Sequence, residues 1–246
     1  MKIAGRVAAV RAMFPGTREY CRDYLWDGDS DFTVEISMED IAFEREKSGQ
    51  EDRLEGILVR NFSDAYLETI AVQRKIAEQL FAYDTLLFHG SVVSVDGEGY
   101  LFTAKSGTGK STHTRLWREV FGSRAVMVND DKPFLRLSED GVLACGSPWN
   151  GKHGLGSNLC VPLKAVCILE RGEENRIRQI SAKEALPMLV QQSNRPLKGK
   201  WMPKYLELLD RLAGGVDFYR LMCNMDPRAA LVSYQAMSGN GKDEEI

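Results

Sequence analysis

The sequence predicts an α/β chain with α+β character, in which strands and helices surround a glycine-rich loop and follow a small β-rich N-terminal lobe. Three observations carry that prediction. The stretch SGTGKS (106–111) lies between the apolar GYLFTA and the amphipathic KSTHTRLWREVF, a strand–loop–helix order. Apolar runs of strand length recur from residue 85 onward and alternate with segments of helical period. Ahead of them, residues 1 to about 65 hold two strand-like runs and no Gly-Lys-Ser loop of their own.

Residues 2–12 read as a strand, and DFTVEIS (31–37) as a second with alternating apolar positions. Residues 44–56 are charged and contain Gly and Ser, which predicts a loop or exposed edge. In LETIAVQRKIAEQLFAYD (67–84), Leu67, Ile70, Ala71, Ile76, Leu80 and Phe81 fall at helical spacing. TLLFHGSVVSV is strand-like, and Asp96-Gly97 begins a turn. AVMVN reads as a buried strand that runs into Asp130-Asp131. FLRLSEDGVLACG reads as a hairpin around Glu139-Asp140-Gly141, and LKAVCILER (163–171) as a further strand. SAKEALPMLVQQS is helical, with Ser181 placed to cap it and Glu184 three residues on. Helix 203–213, strand 216–222 and helix 226–237 complete the series. The expected division is a lobe with its linking helix at 1–84, a loop-bearing domain at 85–238, and a flexible tail at 239–246.

Composition narrows the function classes. A hydrophobic content of 43% in 246 residues supplies a core, so a disordered chain is excluded. The net charge of −3 comes from interleaved acids and bases, so no nucleic-acid partner is expected. No run approaches the roughly 18 apolar residues of a membrane helix, and MKIAGRVAAV is too short and weakly apolar for a signal peptide. Cys21, Cys145, Cys160, Cys167 and Cys223 form no C-x-x-C pair; an odd count without metal spacing predicts reduced, mostly core cysteines. These readings predict a soluble cytoplasmic protein with no membrane partner.

The loop differs from G-x-x-x-x-G-K-[ST] at its first position, which is Ala104. A phosphate loop aims several backbone N–H groups at one anion, and glycines let the chain turn and approach closely. Ser106, Gly107, Thr108, Gly109, Lys110, Ser111 and Thr112 supply that set. Lys110 is the cation for the terminal phosphates, and the Ser111 hydroxyl a ligand for Mg²⁺. Position 104 only starts the turn, and alanine serves there if its φ is negative.

Asp130-Asp131 closes a strand, where an acid beside a phosphate loop commonly holds Mg²⁺. Two adjacent acids allow one to serve the metal and the other to take a proton from an attacking hydroxyl, provided the strand has ended and the chain is turning. All three histidines lie in this block. His89 is placed to hydrogen-bond a phosphate or an acceptor, whereas His113, on the helix after Ser111, reads as structural. GSPWNGKHGLGSN (146–158) is too polar and broken for a core strand, and such loops frame sites; its Lys152 is a candidate to neutralise a transferring phosphate. Arg195 is a second candidate cation.

HGSVV, SGTGKS and VNDD occur here in the order seen in the catalytic domain of the HPr serine kinase/phosphorylase family, which these residues resemble over roughly 85–200. That family is similar in turn to the ATP-dependent phosphoenolpyruvate carboxykinases. The resemblance implies a β-rich sheet wrapped around the phosphate loop (P-loop) and its helix rather than a plain doubly wound sheet. It implies that Lys110 contacts the terminal phosphates, Ser111 binds Mg²⁺, Asp130 is the base for the acceptor hydroxyl, Asp131 assists the metal, and His89 sits near the acceptor or a phosphate. It also implies a homo-oligomer. The glycine- and arginine-containing signature that follows the acids in the bifunctional enzymes is replaced here by GSPWNGKHGLGSN. The chain also resembles short HPr-kinase-like proteins with exchanged acceptors, some of which accompany peptide-modification systems.

Together these readings predict a Mg-ATP-dependent kinase acting on a hydroxyl, a serine of a peptide or protein. A nucleotide-binding regulatory module without transfer, and an ATPase without a phosphoacceptor, use the same loop and stand beside that reading. No base-reading residue is evident, so GTP and pyrophosphate stand beside ATP as donor.

Overall fold

A computed structural model of the chain describes residues 1–54 and 56–239. The chain divides into two compact units, Met1–Leu80 and Phe81 onward. Residues 240–246, most of the expected tail, lie outside the described residues.

In the first unit, β1 (Lys2–Ile3) and β2 (Arg6–Arg11) form a short antiparallel hairpin. Ala4 and Gly5 turn it, with φ of 50° and 79°. The expected single strand over 2–12 is therefore two. β3 (Phe32–Glu35) adds parallel to β2 after the short helix α1 (Pro15–Tyr20). The start of α1 is held from a distance. The buried Glu68 carboxylate accepts from Met13 N at 2.5 Å, from Phe14 N at 3.1 Å and from the Thr17 hydroxyl.

The expected loop at 44–56 is corrected by the structure: α2 runs from Met38 to Leu54. Its charges are its support. Ser37 N donates to Asp40 Oδ2 at 3.0 Å and Asp40 N donates back to Ser37 Oγ at 3.4 Å, a reciprocal cap. From α3 (Asp64–Leu80), Arg74 reaches Asp40 and Glu44, and Lys75 reaches Asp40 at 2.6 Å. A helix polar on most sides stands when such partners exist. With α2 in place, the first unit contains more helix than strand.

Among the described residues, the second unit holds one nine-stranded mixed sheet. Its strands are β4 (Thr85–Leu87), β5 (Ser91–Val95), β6 (Glu98–Thr103), β7 (Ala125–Asn129), β8 (Phe134–Ser138), β9 (Gly141–Cys145), β10 (Cys160–Arg171), β11 (Arg176–Ile180) and β12 (Asp217–Cys223). The hairpin turns expected at Asp96-Gly97 and at Gly141 are present, joining β5 to β6 and β8 to β9. The single strand expected over TLLFHGSVVSV is instead β4 and β5, parted at His89-Gly90. Strand β11, not anticipated, is a polar strand whose one partner is β12. Its alternation is weak because most of it faces water.

β10 is the axis of the unit. It pairs antiparallel with β9 at its start and parallel with β6 and β12 further on. Its side chains alternate between two cores, as the two-residue repeat of a strand requires. Val166 and Ile168 pack with Leu189 of α5 (Ala182–Gln192) and Leu208 and Leu212 of α6 (Met202–Gly215). Ala165, Cys167 and Leu169 pack with Leu116 and Trp117 of α4 (Lys110–Phe121) and Ala229 and Ala230 of α7 (Arg228–Met237). The result is a helix–sheet–helix sandwich with mixed strand directions. The expected cap on α5 forms, with Glu184 N donating to Ser181 Oγ at 3.2 Å.

Candidate functional site

β5 runs antiparallel to both β6 and β7, with Ser91 opposite Phe102 and Val92 opposite Asn129. The start of β5 and the ends of β6 and β7 therefore share one edge of the sheet. At that edge the chain leaves β6 into the glycine-rich loop, leaves β7 into Asp130-Asp131, and enters β5 from His89-Gly90. Three sequence stretches that lie apart along the chain meet there. Gly90 permits the approach: a Cβ there would lie 3.0 Å from the Phe102 carbonyl oxygen.

Ala104, where a phosphate loop usually has glycine, is fully buried and does not adopt left-handed backbone. The turn needs glycine at two later positions, Gly107 with φ 74° and Gly109 with φ 123°. Thr108 N and Oγ1 both donate to Lys105 O, at 3.3 and 2.9 Å, which closes the turn around Ser106 and Gly107. Helix α4 starts at Lys110, and its first rung is His113 N donating to Gly109 O at 2.9 Å. The N–H groups of Lys110, Ser111 and Thr112 precede that rung, so they have no intrahelical acceptor and are open to an anion. Lys110 Nζ rests 3.5 Å from Ala104 O. Burial lowers its pKa, and the Asp131 and Asp130 carboxylates only partly offset this.

β7 ends at Asn129, so Asp130 and Asp131 lie where the chain turns, and their carboxylates face different neighbours. Asn129 Oδ1 accepts from Asp131 N at 2.9 Å and Lys132 N at 2.6 Å, which fixes the turn. Asp130 is nearly buried, and its Oδ1 accepts from Ser91 Oγ at 2.5 Å. Its Oδ2 has no protein partner among the described residues. Asp131 Oδ1 lies 3.2 Å from His89 Nε2. Burial pushes the Asp131 carboxyl up, but the His89 hydrogen bond and the charges of Lys132 and Lys110 outweigh it, and its pKa is lowered. For His89 the balance runs the other way. The Asp131 bond raises its pKa, yet burial with Lys132 and Lys110 brings it below the ordinary value, so the imidazole is neutral at pH 7.

His113 is buried against Phe102, its Nε2 3.1 Å from both Ser233 Oγ and Trp117 Nε1. Burial alone brings its pKa down to about 4, which fits a structural role.

The loop at 146–158 wraps this edge. Ser147 accepts from Asn129 Nδ2 through its carbonyl and hydroxyl, at 3.0 and 3.1 Å. Trp149 O accepts from Lys132 N at 3.1 Å, and Leu155 O from Asp130 N at 3.1 Å. Lys152 is exposed and makes no hydrogen bond or ion pair among the described residues; Arg195 is likewise exposed. His153, from the same loop, lines a cavity with Ser111 and Asp130. The expectation of reduced cysteines is corrected here: Cys145 and Cys160 form a disulfide that closes this loop. They face each other across the β9–β10 pair, a proximity created by strand register and invisible in sequence spacing. Cys21 and Cys167 are free and buried, and Cys223 is free and partly buried.

Two cavities flank the loop. One, ≈ 440 Å³, is lined by Gly107, Thr108, Leu116, Leu169, Arg171 and Met225 among others. Arg171, which sequence reading missed, donates from Nη2 to Gly107 O at 2.5 Å and from Nε to Thr108 O at 3.4 Å, bracing the loop from the end of β10. The other, ≈ 410 Å³, is lined by Ser111, Thr112, Arg115, Arg118, Asp130, His153 and Leu155. Arg115 and Arg118 were also missed, although their spacing from Ser111 along a predicted helix puts all three on one face.

The family described as SynChlorMet cassette protein ScmC matches residues 59–228. The chain belongs to this family. The match covers more than half of the chain and includes the loop, both acids and β10. No curated protein matches the chain. Among solved structures it is similar to the Hpr(Ser) kinase/phosphatase from Coxiella burnetii, at 11% identity, over 63% of this chain and 97% of that one, with a TM-score of 0.38. The family that the chain matches is thus ScmC, not the HPr kinase family that the sequence resemblance suggested. Among the described residues no helix is long and apolar enough to cross a membrane, and no three His, Cys, Asp or Glu side chains gather into a metal-holding group. Mg²⁺ needs no such group, since it is commonly held by one or two protein oxygens together with substrate phosphates.

Proposed function

We propose that this ScmC-family chain is a Mg-ATP-dependent kinase that phosphorylates a hydroxyl, a serine of a peptide or protein. One observation carries the reading: the glycine-rich loop and two carboxylates of unlike surroundings converge on one sheet edge. The residues fit the donor. Two left-handed glycines and the open first turn of α4 form an anion cradle, and nothing lies within 4 Å of a Cβ built at Gly107. Ser106 to Thr112 would hold the phosphates, Lys110 would neutralise the terminal ones, and the Ser111 hydroxyl with Asp131 would hold Mg²⁺. Bound Mg-ATP supplies the phosphoryl group and a divalent charge.

The chain's own contribution is positioning and one proton. Asp130 has one oxygen tied to Ser91 and the other free beside the Ser111 cavity, as befits a base that takes the proton of the acceptor hydroxyl. His89, neutral and bonded to Asp131, holds that carboxylate ionised and aimed. Lys152 would have to swing in with the 146–158 loop to reach a phosphate. The family description speaks of a cassette protein, which suits a chain that works beside companion proteins. We place it in the cytoplasm, where ATP is the abundant donor, and infer a homo-oligomer.

The test compares the parent with Asp130→Asn. The variant is expected to keep its Mg-ATP affinity by calorimetry, while transfer of label from ATP into a host extract falls by roughly 10²–10⁴. Equal labelling by both proteins contradicts the reading.

A further inference from the structure

Arg115 and Arg118 have no part in that mechanism, yet both line the cavity on which Asp130 opens. They follow Ser111 by four and seven residues on α4, so the three side chains share one face. Helical side chains lean back over the preceding turn, which aims both guanidinium groups toward the loop end of the helix. Arg118 is the informative one. Its Nε is buried and has no hydrogen-bond partner, and no carboxylate pairs with it among the described residues. With no carboxylate to neutralise it, the Arg118 guanidinium is a cation available for pairing where it lines the cavity. Arg115 is held only by the exposed Glu119 at 2.6 Å, a pair weak enough for a ligand carboxylate to displace.

We propose that this cavity is a binding site for a carboxylate of the acceptor, held by Arg118 and Arg115, so that an acidic residue beside the target hydroxyl selects it. The proposal rests on the kinase reading for its purpose. Guanidinium is the group suited to planar, two-point recognition of a carboxylate. A donor phosphate is the competing anion, but the loop with Lys110 and the open first turn of α4 already answer the phosphates. Asp130 lies in the same cavity with its Oδ1 tied to Ser91, and His153 lines it as well. An acidic peptide thus finds two cations to hold its carboxylate and a base beside its hydroxyl.

The probe is a labelled heptapeptide with a central serine flanked by glutamates, compared with its glutamine counterpart. Binding is read by fluorescence anisotropy on protein loaded with Mg²⁺ and a non-hydrolysable ATP analogue. The parent is expected to bind the glutamate peptide at least about tenfold more tightly. In the variant carrying Arg115→Gln and Arg118→Gln the ratio falls to near one, while analogue affinity and melting temperature hold. Arg118→Lys, a gentler change, retains part of the preference. Equal affinity for both peptides on the parent overturns the proposal, as does a preference that survives the double change. Loss of analogue affinity in the double variant overturns it too, because the arginines then serve the donor. Phosphate transfer from ATP to both peptides at equal rates sustains the kinase and sinks the acidic selection. Arginine-dependent binding of the glutamate peptide with no transfer sustains the site and sinks the kinase.

Discussion

On one side of α4, Leu116, Leu169 and Met225 form a largely apolar wall with one arginine, Arg171, turned away to brace loop carbonyls. On the other side, Arg115, Arg118, Asp130 and His153 line a hollow of nearly the same size. The glycine-rich loop separates the two. On the proposed function, the apolar face would take the flat, weakly polar part of a nucleotide, and the charged face an acceptor. On the same reading, this difference would let a single strand–loop–helix sort two substrates: the loop would take the phosphates, and residues from β10 or from the 146–158 loop would decide what each side accepts.

Removing the cation of the loop between the two sides should have the largest effect. Lys110→Met is expected to lower phosphate transfer by about 10³-fold, as loss of a cation on a transferring phosphate does, in a rapid-quench assay with labelled ATP. A fall of less than tenfold would mean that this lysine does not serve the transferring phosphate.

The apolar side has its own signature in His113, which lines that cavity and is buried neutral. Its pKa in the folded protein is about 4, below the unfolded value near 6.5. The unfolded chain therefore binds the proton first as pH falls. The contribution of His113 is complete above about pH 6.5 and is lost on going down through pH 4, by as much as about 3 kcal/mol. Denaturant melts of the parent across that window should show the fall, and His113→Asn should flatten it. An unchanged slope in the variant would assign the loss to other groups. In the first unit Asp40 adds a second acid-sensitive element. Burial opposes its ionisation, but Lys75, Ser37 and Arg74 outweigh this and hold its carboxyl at about 2, so its contribution fades only below about pH 4.

The charged side depends on the loop that the disulfide closes. Replacing Cys145 and Cys160 together by alanine should cost about 3 kcal/mol, the chain-entropy figure for a loop of 15 residues. Peptide affinity should fall with it, since His153 and Leu155 come from that loop, while nucleotide affinity stays. Loss of nucleotide affinity instead would erase the distinction between the sides.

The smallest effect is expected at the brace. Arg171→Gln should weaken nucleotide binding by about tenfold and leave acidic-peptide affinity alone, as calorimetry and anisotropy would show. An equal loss on both sides would make Arg171 a general support of the unit.

Much of this was legible before any coordinates. The Gly-Lys-Ser loop, the paired acids at a strand end and His89 before a glycine are each local patterns, and their order carried the family resemblance; that they share one sheet edge came from strand pairing. The Ser181 cap and the turns at Asp96-Gly97 and Gly141 were legible for the same reason. What stayed hidden depends on partners distant in sequence. α2 looked like a loop because its charges find Arg74 and Lys75 only once α3 packs beside it. Cys145 and Cys160 become neighbours only in strand register. Arg171 reads as the solvated end of an apolar strand until that strand is placed beside the loop. Arg118 is the exception: seven residues after Ser111 on a predicted helix, it could have been found.

The central claim is that the backbone between Gly107 and Thr112 is a cradle for the terminal phosphates of a nucleotide. Calorimetric titration with ATP and with AMP, both with Mg²⁺, tests it most directly. The account predicts that ATP binds at least about a hundredfold more tightly than AMP, and that Lys110→Met removes most of the difference. Equal affinities for ATP and AMP, or a preference untouched by the lysine change, would contradict it.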